Sequence, residues 1–168
     1  MLSIIIIIIS LILDGILSNF LPYMVNDLSL FTPLLTIVSF IIIYPFYRKK
    51  RKQYFLMTFF VGIIYDLLYT NLLFFNALLF LVVSLFIHLI YKNLEVNYFN
   101  IIIYIVLIII VYESIQYLIF IIFNLIPVDI SKLIYKISHS LLLNIIYTEL
   151  LFIIVNLLPK KFKKININ

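Results

Sequence analysis

Long apolar stretches with few charges are the feature of this sequence that most constrains its fold. A helix needs about 20 consecutive apolar residues to cross the hydrocarbon core of a bilayer. Hydrophobic residues make up 66% of the 168 residues and charged residues only 11%, whereas a soluble domain usually carries about 25% charged residues. A small soluble globule would leave much of this apolar surface in water. The sequence therefore predicts an all-α, polytopic membrane protein, since uniformly apolar stretches do not suit barrel strands.

Polar connections divide the chain into six predicted spans within one transmembrane domain. We expect these spans at about residues 2–21, 28–47, 54–70, 72–91, 98–123 and 132–158. The first segment lacks a positively charged start, which favours a retained span over a cleaved signal peptide. The stretch from Tyr54 to Tyr91 has 38 residues, about two spans, and the polar pair Thr70 and Asn71 lies near its middle. We therefore predict a helical hairpin with its turn near Asn71.

The distribution of lysine and arginine predicts the orientation. Six spans with both ends in the cytoplasm place ten of the twelve basic residues inside, as the positive-inside rule requires. These ten are Arg48, Lys49, Lys50, Arg51, Lys52, Lys92, Lys160, Lys161, Lys163 and Lys164. Lys132 and Lys136 begin the sixth span and can snorkel outward. We interpret the basic surface at 48–52 as a topology signal in contact with anionic lipid, in preference to a dedicated protein or nucleic-acid site.

Six ionisable residues fall within the predicted spans, where charge is costly and marks candidates for function. They are Asp14, Asp66, His88, Glu113, His139 and Glu149. The sequence has no cysteine, no hydrolase or phosphate-loop motif and no grouped metal ligands. Paired acid–base groups in one cleft are not indicated either. We therefore expect no enzyme, no catalytic residue, no metal and no cofactor, and assign these side chains to contacts between helices.

Asp14 lies on span one with Ser10 and Ser18 at four-residue spacing on nearly the same face. Gly15 beside it permits close approach of another helix. Two interpretations follow. Asp14 is a buried contact point for another helix, or it is a protonated acid with local partners that helps the bundle to pack. Ser10 and Ser18 can share hydrogen bonds with Asp14 or with a neighbouring helix.

Gly62, Asp66 and Thr70 are also spaced by four, on span three. The glycine lets a neighbouring backbone approach this face. We expect the Asp66 carboxylate to bond to Asn76, just after the turn, and so to pin the hairpin of spans three and four. Contact with a partner protein is the alternative.

Spans five and six carry polar seams. Glu113 lies near the middle of span five, with Gln116 and Tyr117 one turn later. Span six has a row at four-residue spacing that drifts slowly around the helix, flanked by His139 and Glu149. The row consists of Lys132, Lys136, Ser140, Asn144 and Thr148. We expect the two seams to face each other, with Glu113 and Lys136 as a candidate ion pair.

Residues 62–74 resemble a motif of the MreD family of rod shape-determining membrane proteins. In that family the third span typically reads as glycine, two aliphatic residues, one variable residue and aspartate. Gly62, Asp66, Tyr69 and Thr70 match, while Phe74 and Phe75 stand where the family usually has glycine. The resemblance covers about residues 10–92, and the last third of the chain matches only in hydropathy.

The resemblance implies a non-enzymatic scaffold or regulator of cell-wall elongation in the bacterial cytoplasmic membrane. Its implied partners are MreC, the actin-like MreB filament, the glycosyltransferase RodA and a penicillin-binding transpeptidase. The family is also similar in fold to substrate-binding subunits of energy-coupling-factor vitamin transporters. A small-molecule-binding transporter subunit is therefore the alternative function.

Overall fold

The structure is a computed structural model that describes residues 2–24, 33–70, 72–93 and 98–157, without the side chains of 20–24, 93, 98, 156 and 157. All regular secondary structure in these ranges is helical, which confirms the predicted all-α class. The helices are α1 (Leu2–Met24), α2 (Leu35–Tyr47), α3 (Arg51–Tyr69), α4 (Phe75–Asn93), α5 (Tyr98–Ile122) and α6 (Ile130–Leu157).

Four of the helices in the described ranges, α1, α4, α5 and α6, are long and apolar enough to cross a membrane. The other two differ in length or charge. α2 has only 13 residues, and α3 carries Arg51, Lys52 and Asp66 within its 19 residues. A membrane protein with several such helices is what the sequence predicts.

The predicted start of span two needs correction. Pro33 and Leu34 are not helical, and α2 begins at Leu35. A proline suits the residues just before or at the start of a helix, because it donates no backbone hydrogen bond. Residues 28–32, the turn at Asn71 and the lysines after Leu158 lie outside the described residues. Span three begins earlier than predicted, at Arg51, so part of the basic cluster belongs to the first turn of α3.

α2 lies at the centre of the bundle. Each of the other five helices packs against it, and its ten residues from Leu35 to Tyr44 are all buried. The helix is apolar on every side, which is the pattern of a fully enclosed helix. Contacts with the neighbouring helices, rather than its own length of 13 residues, stabilise α2.

α1 shows how the bundle divides apolar residues between core and surroundings. Ile6, Ile7 and Leu11 are buried in the core, whereas Ile8 and Ile12 on the opposite face are about half exposed. Similar exposed apolar side chains cover the outside of α3 to α6. A surface this apolar is compatible with lipid rather than water.

Candidate functional site

Asp66 joins α3 to the start of α4. Its side chain is fully buried. Oδ1 accepts hydrogen bonds from the backbone N–H of Asn76 at 3.0 Å and from its side-chain amide at 2.8 Å. The Thr70 hydroxyl donates to the same oxygen at 2.9 Å, and the backbone N–H of Ala77 donates to Oδ2 at 3.2 Å. The predicted contact between Asp66 and Asn76 is therefore present.

This cluster supplies acceptors for hydrogen-bond donors at the beginning of α4. The first backbone N–H groups of a helix have no acceptor within it, and hydrocarbon offers no water to replace one. An acid at that end also interacts favourably with the helix dipole. Asp66 supplies acceptors to the first turn of α4, and thereby joins the two helices of the hairpin.

Gly62 permits this hairpin to close. A methyl group added there would lie 2.8 Å from both the Ala77 nitrogen and the Asn76 carbonyl oxygen. Farther along the hairpin, the Thr58 hydroxyl donates to Ser84 at 3.2 Å. The two contacts are in antiparallel register, so α3 and α4 pack along their length and not only at the turn.

Asp14 performs the same task for α2. Its side chain is 1% exposed, and it accepts hydrogen bonds from the backbone N–H groups of Leu35 at 2.7 Å and Thr36 at 2.9 Å, and from the Thr36 hydroxyl at 2.5 Å. Asn144 on α6 accepts from the N–H of Leu34 at 3.0 Å. The buried start of the central helix is thus satisfied by side chains from α1 and α6.

The structure favours the first interpretation of Asp14, contact with a neighbouring helix. Ser10 donates to the Ile6 carbonyl at 2.8 Å and pairs with the Tyr147 hydroxyl at 2.7 Å, while Ser18 is exposed. Ser10 thus bonds to a neighbouring helix, α6, which is one of the two possibilities that the sequence left open for these serines. A serine in a helix readily bonds to the carbonyl four residues earlier, which competes with more distant partners.

Tyr69 connects α3 to α1. Its hydroxyl donates to the Leu11 carbonyl at 2.8 Å, and its ring lies against Gly15, where a methyl group would come within 2.6 Å of the ring carbon Cζ. Both glycines of the chain therefore mark close helix contacts. Three of the family motif residues, Gly62, Asp66 and Tyr69, therefore contact a neighbouring helix directly, and Thr70 bonds to the Asp66 carboxylate.

A cavity of about 550 Å³ lies at this end of the bundle, beside the starts of α2 and α4. Its polar lining includes Ser18, Tyr65, Tyr69, Asn76, Tyr112 and Gln116. The Tyr112 hydroxyl donates to Asn76 Oδ1 at 3.2 Å, so the lining continues the Asp66 cluster. This volume is within the range of small-molecule sites.

The predicted pair of Glu113 and Lys136 is present between α5 and α6. The carboxylate and the ammonium are 2.7 Å apart, and the Glu113 side chain is 1% exposed. Lys136 also donates to Gln116 Oε1 at 3.3 Å. A buried pair of this kind fixes two helices in register, because removal of one partner leaves an uncompensated charge.

The rest of the α6 row is directed more toward the core than the sequence predicts. Ser140, Asn144 and Thr148 are fully buried, and Asn144 reaches α2 instead of α5. His139 bonds to the Tyr135 carbonyl within its own helix at 2.9 Å, and Glu149 is exposed on the outside of α6. Among the described residues, the predicted seam between α5 and α6 is present at Lys136, which contacts Glu113 and Gln116.

The predicted basic surface is exposed and concave, and lies between α2 and α3. It is lined by Arg48, Lys49, Lys50, Arg51 and Lys52.

A buried aromatic cluster that was not predicted from the sequence lies near this basic surface. Tyr44 packs against Tyr54 with ring centres 5.0 Å apart and against Tyr91 at 4.9 Å, and its hydroxyl pairs with His88 Nδ1 at 2.5 Å. The sequence signal for this cluster was the presence of tyrosines at four ends of the predicted spans.

These side chains form connections between helices. Within the described ranges, no group of three histidine, aspartate or glutamate side chains could hold a metal ion. The buried acids Asp14 and Asp66 accept hydrogen bonds from the first turns of other helices, and Glu113 pairs with Lys136. These contacts hold neighbouring helices together.

Comparison with known proteins places the chain in a family. Neither the curated proteins nor the solved structures gave a match. A family model described as rod shape-determining protein MreD matches residues 1–162. The match extends beyond the region of residues 10–92 that carries the sequence resemblance, and includes α5 and α6. The chain therefore belongs to the MreD family, whose role is in rod shape determination.

Proposed function

We propose that this protein is a membrane scaffold or regulatory subunit of the bacterial cell-wall elongation complex, acting through contacts within the membrane. The family match over residues 1–162 carries the proposal. The clamped bundle supports it, because the buried acids Asp14, Asp66 and Glu113 already serve contacts within the chain. Such a bundle can present fixed outer surfaces to other membrane proteins.

The proposal includes six spans in the bacterial cytoplasmic membrane, with both ends in the cytoplasm. α2 is enclosed by helices that can themselves cross a membrane, so it shares their environment. α3 packs along α4 in antiparallel register, which returns Lys92 to the side of the basic surface at 48–52. Positive residues on one side favour the cytoplasm for that side.

The proposed partners are MreC, RodA with its penicillin-binding transpeptidase, and the MreB filament. Connections between the helices are short, so partners engage through the spans or at the membrane surface. The exposed cations from Arg48 to Lys52 suit anionic lipid headgroups or an acidic cytoplasmic partner.

Depletion in a rod-shaped bacterium tests the proposal. We expect cells to widen, incorporation of labelled wall precursors along the side wall to fall, and MreC to be lost from detergent pull-downs. Re-expression of the wild-type chain restores all three, which controls for effects of depletion itself. Unchanged cell width, wall labelling and MreC recovery would reject the proposal.

One observation favours a second candidate, a vitamin-type substrate-binding subunit of a transporter. The 550 Å³ cavity with its tyrosine, asparagine and glutamine lining has the size and polarity of a small-molecule site. Mass spectrometry of the purified protein, before and after denaturation, tests it. A stoichiometric small molecule that is lost in a Gln116→Leu variant supports this candidate, and a ligand-free protein argues against it.

A further inference from the structure

The cavity of about 550 Å³ beside the starts of α2 and α4, which we name the polar cavity, adjoins a second space. This second space, the apolar groove, has a volume of about 450 Å³ and lies between the first turn of α4 and the end of α5. Its described lining consists of leucine, isoleucine and phenylalanine alone. Leu72, Phe75 and Phe120 line both spaces, and the rings of Phe75 and Phe120 are stacked with centres 5.7 Å apart. A polar and an apolar space thus meet at one aromatic wall.

The position of these two spaces along the bundle matches the boundary between the heads and the chains of lipids. α4 has 19 residues, and a rise of about 1.5 Å per residue gives it a length of about 28 Å. The hydrocarbon core of a bilayer is about 30 Å thick, so the start of a spanning α4 lies near one edge of it. The apolar groove opens outward at this edge, because Leu78 and Phe123 in its lining are 60% and 69% exposed. Lipid chains can therefore enter the groove from the side.

Two side chains of the polar cavity, Tyr65 and Gln116, have hydrogen-bonding groups without a partner in the described part of the chain. The Tyr65 hydroxyl makes no hydrogen bond to any described residue. Gln116 accepts from the Lys136 ammonium through Oε1, which fixes the direction of its amide, and its Nε2 group donates to none of the described residues. A polar group without a partner is costly away from water. An occupant with hydroxyl or carbonyl oxygens would satisfy both groups.

The lining of the polar cavity also restricts the charge of its occupant. Among the described residues that line it there is no lysine, arginine, histidine, aspartate or glutamate. Lys136, which contacts Gln116, is already paired with the Glu113 carboxylate at 2.7 Å. A phosphate or carboxylate in this cavity would lack a cation, and an unpaired charge is far more costly to bury than a hydroxyl group. The lining therefore suits an uncharged head.

We infer that the polar cavity and the apolar groove together bind one neutral membrane lipid, with a hydroxyl-bearing head in the cavity and an acyl chain in the groove. Diacylglycerol and its monoglycosyl derivatives have this chemistry. Tyr65 and Gln116 donate hydrogen bonds to oxygens of the head, and the stacked rings of Phe75 and Phe120 lie where head and chain join. The inference goes beyond the proposed scaffold function, which concerns protein partners and does not depend on a lipid.

Three other occupants lead to different results. A water-soluble molecule would fill the polar cavity and have no chain for the groove. Water alone would satisfy Tyr65 and Gln116 without any preference among lipids. A lipid that placed only a chain in the groove would bind regardless of its head. Selectivity for the head, together with a chain in the groove, is therefore the property to measure.

Photolabelling of the full chain in lipid nanodiscs tests the inference. Diacylglycerol, monoglucosyl diacylglycerol and phosphatidylglycerol each carry the same diazirine-bearing acyl chain, and phosphatidylglycerol is the anionic control. We expect the two neutral probes to label peptides with residues 72–78 or 119–125 several-fold more than the anionic probe does at equal concentration. Equal labelling by all probes, labelling of other parts of the bundle, or no labelling would overturn the inference.

Tyr65→Phe tests the head, because it removes a hydroxyl that makes no hydrogen bond among the described residues. Labelling by the neutral probes should fall about two- to tenfold, the factor that one neutral hydrogen bond contributes, while the unfolding midpoint in micelles stays unchanged. Tyr135→Phe is the matched control, since Tyr135 is exposed on α6 and lines neither space. If Tyr65→Phe were labelled as strongly as Tyr135→Phe, the hydroxyl would not contact the lipid and the inference would be wrong.

Leu78→Trp tests the chain, because a larger apolar side chain at this exposed position narrows the groove. It should lower labelling by the neutral probes more than Leu85→Trp, which makes the same change two turns along α4 at a side chain that is 43% exposed. Equal labelling of the two variants would contradict a chain in the groove.

Competition separates a lipid from a water-soluble ligand. Unlabelled diacylglycerol should reduce labelling by the monoglucosyl probe, whereas free glycerol and glucose should not. A stoichiometric water-soluble molecule that copurifies with the chain and blocks labelling would overturn the inference and support the transporter candidate. None of these results bears on cell width or on recovery of MreC after depletion, so the lipid site and the scaffold function stand or fall separately.

Discussion

Replacement of Asp66 by leucine should destabilise the isolated protein severely. In Asp66→Leu, the backbone N–H groups of Asn76 and Ala77 and the Asn76 side-chain amide lose their acceptor in a fully buried position. Each buried donor left without a partner costs about 1–3 kcal/mol. With partial compensation by relaxation, we expect a loss of about 3 kcal/mol in the free energy of unfolding.

The conservative variant Asp66→Asn should lose less, about 1 kcal/mol, because its remaining carbonyl oxygen still accepts hydrogen bonds at the start of α4. Unfolding in mixed micelles with increasing dodecyl sulfate, followed by circular dichroism, measures both. Tyrosine fluorescence gives a second probe, since the chain has 13 tyrosines and no tryptophan.

Glu149→Leu is the matched control, since it makes the same chemical change at an exposed position. Its unfolding midpoint in micelles should fall less than that of Asp66→Leu, because the Glu149 side chain is exposed and the Asp66 side chain is buried. If Asp66→Leu were no less stable than Glu149→Leu, the argument that buried acids hold the helix starts would be refuted.

Three further predictions concern helix contacts and can be measured in the same micelle assay. Gly62→Ala should lower the free energy of unfolding by about 1–3 kcal/mol, and by more than Gly15→Ala does, because its methyl group meets the backbone of α4 rather than the tip of a tyrosine ring. Equal losses in the two variants would contradict this. Phe74→Gly should leave the unfolding midpoint unchanged or raise it, since Phe74 has a φ of 68° that glycine adopts without strain. A clear fall in the midpoint would show that packing of the phenylalanine ring contributes to stability. Glu113→Gln and Lys136→Met should each lower the free energy of unfolding by about 3 kcal/mol, and the double variant should lose less than the sum of the two single losses. Additive losses would exclude a coupled pair.

Residue spacing was sufficient to predict the contacts that are close in sequence. Asp66 and Asn76 are ten residues apart on either side of one turn, so the hairpin itself brings them together. Phe74 illustrates the same point. The family usually has glycine there, and the left-handed backbone at this phenylalanine shows that the turn keeps a conformation for which glycine is the easier residue.

Contacts between distant helices were harder to predict, because hydropathy gives the faces of a helix but not its neighbours. Asp14 bonds to Leu35 and Thr36 across a segment whose length and geometry the sequence does not fix. Asn144 was placed on a seam facing α5, yet it reaches α2. Twelve or more residues of separation leave many helix arrangements open, and only packing in three dimensions selects one.

The three capping acids share one physical cause, because the first backbone N–H groups of a helix have no acceptor within that helix. A helix of 13 residues that is enclosed by others begins inside the bundle, and side chains of other helices accept hydrogen bonds from the N–H groups at its start. Asp14 compensates at α2 and Asp66 at α4, while Asp129 accepts from the N–H groups of Ser131 and Lys132 at the exposed start of α6. Each acid therefore stands at the positive end of a helix dipole.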